Sequence, residues 1–491
     1  MIAALRLKLG ALMRDRVVRG VGVLVGGTTV AQALAVLALP LITRLYTPDD
    51  FSLLAVYSSL LGIIAALACL RLEIAIPIPE SDEDAASLLR LALASATLVA
   101  LSTGFALVAF GEDLVKFIQR PEFRPYLWLL PIGVWLSGTY AALQYWSSRT
   151  KRFPAIARTR VAQAIGGVCV QTGFGLTSAG PLGLLLGQVV SSGAGIAGLA
   201  GSVIRRDREA LRTIGLRRML STLRKYDRFP RYSTLEAFAD TGGTQIPIII
   251  IAAAAAGPEA GLVLLATRVM SAPMGLIGGA VSQVYLSTAP AESRAGRLGH
   301  FTTRIIGGLL KAGVGPLLFA GIVSPFAFSL IFGEQWRRAG EIVTYMTPWF
   351  VMRFVTSPVS MALHVLDHQV VACFLQIFGL LLRVGAVVMA AYFAEAQLVE
   401  IYAASEFVYY LVYFLVVGRV TGLKFADLLQ ECRSALRYSG VWLLRPFLLP
   451  LLWRCCQRPI RGETTATFAA SGCPRLIFPI RSLVDMACTS L

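Results

Sequence analysis

The sequence predicts an all-α, polytopic membrane protein, with about twelve transmembrane helices in two six-helix bundles related by a pseudo-two-fold axis along the membrane normal. Three observations predict it. Hydrophobic residues make up 56% of the 491-residue chain against 15% charged, with a mean hydropathy of +0.69. Apolar runs recur at the ~20-residue length that crosses a hydrocarbon core. Positive charge collects on one side of those runs.

Taken in order, the first run, 22–43, is too long for a signal-peptide core and has no small-residue cleavage site, so it is read as a retained helix. Runs at 51–70, 91–110, 126–147, 161–178 and 182–203 follow. A basic stretch, 204–231, interrupts the series, which resumes at 232–256, 260–285, 305–332, 342–365, 369–393 and 396–418. The expected organisation is an N-terminal lobe over 1–210, a C-terminal lobe over 211–420 and a cytoplasmic tail over 421–491. Within the tail, "YSGVWLLRPFLLPLLW" at 438–453 is short and interrupted by Arg445, Pro446 and Pro450, which suits an interfacial helix better than a thirteenth span. Residues 457–491 show no periodicity.

With the N-terminus inside, 25 loop lysines and arginines fall on that side, against six on the other: Arg44, Lys116, Arg120, Arg124, Arg337 and Arg338. Both termini are therefore expected in the cytoplasm. The net charge of +17 calls for no nucleic-acid partner, because the Arg205 to Arg231 cluster lacks the interleaved aromatics of a base-stacking surface. It reads as a topology determinant that meets anionic headgroups.

The halves echo one another. "LPLITRLYTPDDFSLLAVY" at 39–57 and "IPIIIIAAAAAGPEAGLVLLA" at 246–266 each hold a proline in a helix (Pro40, Pro247), an apolar stretch, a Pro-acidic turn and the next helix. A second echo pairs 120–146 with 333–365. An even number of spans per half gives both halves one orientation, with a cavity between them.

No catalytic or cofactor motif is present. There is no GxxxxGK[ST], "GFGLTS" near 173 follows no strand, and His300, His364 and His368 lack metal-ligand spacing. The eight cysteines form no framework: Cys69, Cys169 and Cys373 lie in apolar helices and the rest in the tail. Cys455 and Cys456 are placed where acylation occurs. No metal, cofactor or catalytic residue is expected.

What remains is the charge inside the spans, where an unpaired ion costs at least ~2.5 kcal/mol. Arg268, Arg353 and Arg383 sit in spans 8, 10 and 11; Glu236 and Asp240 share a face of span 7, and Glu406 lies in span 12. The first half offers neutral polar groups, including Gln32, Gln144, Gln163, Gln171 and Gln188. Two readings stand: these charges pair to fix packing, as Arg268 with Asp240 or Arg383 with Glu406, or they line a cavity. A cavity of arginines, amides and tyrosines suits an anionic, hydroxyl-rich substrate, since the guanidinium fork matches phosphate oxygens.

Four stretches, "LPLITRLYTPDDFSLL", "RLEIAIPIPESDEDA", "GPEAGLVLLATRVMSAPMGLIGGAVSQVYL" and "IFGEQWRRAGEIVTYMTPWFVMRFVTSPVSMALHVLDHQ", together with "RTKRFPAIARTRVAQA", carry a family resemblance across residues 20 to 420. In them the chain resembles the bacterial polysaccharide or O-antigen flippases. These form the polysaccharide transporter family, in the superfamily of multidrug exporters and lipid II flippases. Where that family has glycine after Phe51, this chain has Ser52 and Leu53.

The resemblance implies a non-enzyme of the bacterial cytoplasmic (inner) membrane that flips polyprenyl-diphosphate-linked oligosaccharide by alternating access for surface polysaccharide synthesis. A proton, a sodium ion or the membrane potential would drive it, with membrane lipids and polysaccharide polymerase or export machinery as partners. On that reading Arg268, Arg353 and Arg383, with Gln32 and Gln144, bind substrate. Glu236, Asp240 and Glu406 balance charge or bind the coupling ion. A cation-coupled multidrug exporter and an integral-membrane glycan polymerase or ligase stand as alternatives.

Overall fold

The computed structural model describes residues 16–177, 180–207, 215–255, 257–366 and 368–423. They are helical throughout, with no strand among the described residues. All belong to one compact unit, Met1–Leu443. The expected interfacial helix at 438–453, the tail cysteines and the basic residues before Arg16 lie outside the described residues.

Each expected span falls on a helix. The first half holds α1 (Arg16–Leu45), α2 (Pro48–Ala68), α3 (Leu72–Ala75), α4 (Asp82–Ile118), α5 (Leu129–Arg149), α6 (Phe153–Leu176), α7 (Leu182–Gly193) and α8 (Ile196–Arg206). The linker carries α9 (Leu216–Lys225). The second half holds α10 (Thr234–Ala254), α11 (Glu259–Arg294), α12 (Leu298–Leu309), α13 (Gly315–Phe332), α14 (Arg337–Val359), α15 (Gln369–Phe393) and α16 (Leu398–Thr421). Among the described residues nine helical stretches are long and apolar enough to cross a membrane. The three expected spans outside that number, on α5, α6 and α14, are helices of 21, 24 and 23 residues.

Three spans are jointed, the span at 342–365 by a turn at Ser360 and Met361 between α14 and the short helix Ala362–Val365. At 182–203 the chain breaks between α7 and α8, where Ala194 is extended and Gly195 takes φ +94°, a conformation only glycine adopts freely. At 305–332 a π-helical turn, Leu310–Val314, links α12 to α13. Pro40 and Pro247 both lie within their helices, α1 and α10.

Helix α2 joins the two halves of the chain, packing on α10 and α11 of the second half as well as on α4 and α5 of its own. Its start is fixed locally: Pro48 stands in the first turn, the Thr47 hydroxyl accepts from the Asp50 N–H, and the Asp50 carboxylate accepts from the Thr47 N–H at 2.9 Å. At that point Gly261 of α11 lies so close that a Cβ there would sit 2.4 Å from the Pro48 carbonyl oxygen and 2.5 Å from the Ser52 nitrogen. Two backbones touch there because one has no side chain.

At the other end of α2 and α4 the basic linker is docked. Asp82, Glu83 and Asp84 open α4, where carboxylates complement the helix dipole. Lys225 meets Asp84 at 3.0 Å, Arg218 meets both Asp84 (3.4 Å) and Glu83, and Arg149 meets Asp82 at 2.9 Å. Hydrogen bonding to Asp84 raises the Lys225 ammonium above its ordinary pKa. The acidic start of α4 thus anchors the linker that joins the halves.

Candidate functional site

Helices α1, α6, α7 and α11 enclose a cavity of about 390 Å³. Its walls are mostly small and apolar, from Ala35, Val36, Ala164 and Val168, and its polar groups are few. Gln32 comes from α1, Gln163 and Gln171 from α6, Gln188 and Ser191 from α7, and Arg268 and Ser271 from α11. The Gln171 amide donates to the Leu184 carbonyl (3.5 Å), while the Tyr46 hydroxyl donates to the Gln171 carbonyl at 2.7 Å, holding α6 against α7 and the end of α1.

Arg268 donates one Nη2 hydrogen bond to Gln188 Oε1 at 3.3 Å and has no ion pair among the described residues. The pairing of Arg268 with Asp240, one of the two packing partnerships considered from the sequence, is not formed. Gln32 Oε1 is buried with no hydrogen-bond partner. The cavity therefore presents a cation with no ion pair among the described residues beside one amide oxygen, that of Gln32, with no hydrogen-bond partner.

A second cavity, of about 230 Å³, adjoins the first through Ser271, which lines both. Here α11 turns a glycine-rich face, Gly275, Gly278 and Gly279, toward α14, and Arg353, Ser357 and Ser282 supply the polar groups. Arg353 likewise has no ion pair among the described residues. Ser271 thus borders both the cavity that holds Arg268 and the one that holds Arg353.

The other expected site residues are distributed differently. Arg383 and Glu406, 1% and 0% exposed, pair at 3.5 Å. The Arg383 Nε donates to the Gly379 carbonyl at 2.8 Å, its guanidinium lies 4.2 Å from the Tyr409 ring centroid, and the Tyr402 hydroxyl donates to Glu406 Oε1 at 3.3 Å. Neither residue lines the two cavities. Glu236 lines a third cavity, of about 660 Å³, with Arg228, Phe229, Tyr232, Ser233 and Gln369, and Asp240, one turn on, is exposed. Gln144 accepts from Arg160 Nη2 at 3.0 Å and lines none of the three.

The structure thus brings Gln32 and Arg268 together, sets Arg353 next door, and separates the remaining five. Gln163, Gln171 and Gln188, named in the sequence only as polar residues of the first half, prove to line the same cavity as Arg268. Also unforeseen is Glu73, 6% exposed beside Arg71 at 3.8 Å, held by an α-left backbone at Leu70 and Arg71. Among the described residues no group of three His, Cys, Asp or Glu side chains is placed to hold a metal ion.

Residues 41–341 match the family model described as polysaccharide biosynthesis protein. The chain belongs to that family. No curated protein matches it by sequence. Among solved structures, this family member is similar to the lipid II flippase MurJ in an inward closed conformation, with a TM-score of 0.63 at 11% identity over 88% of this chain and 98% of that one. It is also similar to an inward-facing multidrug resistance MATE transporter of the MOP superfamily (0.55, 15% identity, 81% and 92% covered). A third match is the eukaryotic MATE transporter AtDTX14 (0.55, 13% identity, 86% and 100% covered). At these identities the likeness is one of fold: the polysaccharide biosynthesis family member is a multi-pass membrane protein with the helical architecture of MOP-superfamily transporters.

Proposed function

We propose that the protein flips polyprenyl-diphosphate-linked oligosaccharide from the cytoplasmic to the outer leaflet of a bacterial cytoplasmic membrane, by alternating access of the cavity between its lobes. The observation that carries this reading is Arg268: a guanidinium inside the membrane, with no ion pair among the described residues, facing a cavity lined by four glutamines. The hydrogen bond to Gln188 returns most of the cost of holding a cation here, and the charge stays open to an arriving anion. Arg268 and Arg353, which line adjoining cavities that share Ser271, take the diphosphate. The amides of Gln32, Gln163 and Gln188 bond sugar hydroxyls. A cavity of about 390 Å³ suits a drug-sized ligand, so an oligosaccharide requires the lobes to part.

Arg383 acts in this reading through its pair with Glu406, which leaves Glu236 and Asp240, on the linker side of α10, as the carboxylates open to a coupling proton or sodium ion. Both termini are cytoplasmic on the charge bias, and the protein works beside polysaccharide polymerase or export machinery as a carrier rather than an enzyme.

The test is the sidedness of lipid-linked glycan in cells depleted of the protein. Intermediates that accumulate but cannot be reached by a probe outside the membrane are the expected result. Normal outside access would overturn the reading. One observation favours a second, a cation-coupled drug exporter: Glu236 lies in a cavity with Phe229 and Tyr232, an acid among aromatics. Arg228 in the same cavity opposes a cationic drug, and resistance to cationic drugs on expression would decide for the exporter.

A further inference from the structure

On the face opposite the docked linker, each lobe completes a helix of the other. Helix α1 ends at Leu45, and the Thr47 N–H goes to the Asp50 carboxylate instead of back to the Thr43 carbonyl. That carbonyl accepts from Trp336 Nε1 at 3.1 Å and Gln335 Nε2 at 3.3 Å, both on the 3-10 turn Glu334–Trp336 of the second lobe. Trp336 is fully buried and sets its ring edge against Phe51, centroids 4.8 Å apart.

The mirror arrangement finishes α10, which ends at Ala254. Arg120, at the start of the 3-10 turn Pro121–Tyr126 of the first lobe, donates to the carbonyls of Ala252 (3.3 Å), Ala255 (3.5 Å) and Gly257. Its guanidinium also lies 3.9 Å from Asp49, at the start of α2. Arg120 and Trp336 stand at the openings of the two segments, 120–146 and 333–365, that echo one another in sequence. The C-terminal carbonyls of a helix need partners from outside it, and here each leading helix takes them from the opposite lobe.

We propose that these reciprocal caps form the latch that holds the cavity shut on the face opposite the linker, and that both arms must release for the cavity to open there. The latch presupposes the transport reading and concerns which face opens, not what is carried. Its chemistry suits a reversible closure: when the lobes part, the freed carbonyls and the guanidinium exchange each other for water, so the net cost per bond is modest. The arms differ in kind. The Arg120 arm is charged and reaches an exposed carboxylate, whereas the Trp336 arm is neutral and buried.

The experiment reads access without any substrate. A cysteine reporter at Ala272, which lines the first cavity, is placed in a full-length chain whose native cysteines are replaced, in sealed vesicles of each orientation. A second reporter at the exposed Glu122 identifies the latch face. Trp336→Phe removes the N–H donor together with part of the indole and keeps an aromatic ring beside Phe51; Arg120→Gln removes the charge. The expected result is that membrane-impermeant maleimide labels position 272 from the latch face roughly tenfold faster in each variant, and faster still in the double variant. Unchanged labelling in all three, or an equal rise from both faces, would overturn the latch. Because no glycan enters the assay, that failure leaves the substrate reading standing, and failure of the sidedness test leaves the latch standing.

Discussion

Replacing Arg268 with methionine should abolish glycan export while leaving the folded protein about as stable as before. A charge at the centre of a membrane helix costs ~2.5–3.5 kcal/mol. Against it stands one charge-assisted hydrogen bond, to Gln188 at 3.3 Å, of a kind that returns ~1.5–3 kcal/mol. With no ion pair among the described residues to add to that return, the two terms nearly cancel. Methionine keeps the length and apolar contact of the stem, so the net change in stability is within ~1 kcal/mol. The assay pairs a melting curve of the detergent-purified variant with outside access of lipid-linked glycan in cells carrying it as the sole copy. A variant that melts several kcal/mol lower yet exports normally would refute the reasoning, since Arg268 would then be a packing residue.

Arg383 should behave in the opposite way. Glu406→Leu strands a guanidinium that is 1% exposed and costs ~3–5 kcal/mol, and adding Arg383→Met recovers most of the loss in the same melting assay; a double variant as unstable as the single would show that the pair is not what holds α15 to α16. Gly261→Ala forces a Cβ against the Pro48 carbonyl and costs ~1–3 kcal/mol, whereas Gly308→Ala, with nothing within 4 Å, is neutral; equal melting of the two would deny the close approach. Limited trypsin digestion reads the linker: Asp84→Asn, or raised salt, should speed cleavage at α9. Because Asp84 raises the Lys225 pKa, that pair is present below the ordinary lysine value of about 10.4 and is lost only as pH climbs through the higher folded value. Cleavage at α9, taken relative to trypsin's rate on an unfolded substrate at the same pH, should therefore not change across about pH 6–9.

The spans were legible in the sequence because apolar length is a local property, and so was the polarity of their faces. Tyr402, Glu406, Tyr409 and Tyr413 do share one buried face of α16. What periodicity does not state is which neighbour a face meets. Glu236 and Asp240 repeat at helical spacing as foreseen, yet α10 turns them toward the linker-side cavity and the exposed surface, while Gln188 on α7 meets Arg268 across 80 positions of sequence. Arg383 with Glu406 could be named in advance only as one of two possible pairings. The breaks at Gly195 and at Leu310–Val314 are not legible in the sequence, because an apolar run reads the same whether its helix is continuous or jointed.

The reciprocal caps also bear on how the chain is made. The Thr43 carbonyl waits for a donor 293 residues downstream. At translation rates of roughly 5–20 residues per second, that interval is on the order of tens of seconds. Throughout it the newly inserted N-terminal half lacks the two donors, Gln335 and Trp336, that finish the end of its leading helix. Assembly of that end is thereby tied to the arrival of the second half, and until then water is the partner of the Thr43 carbonyl.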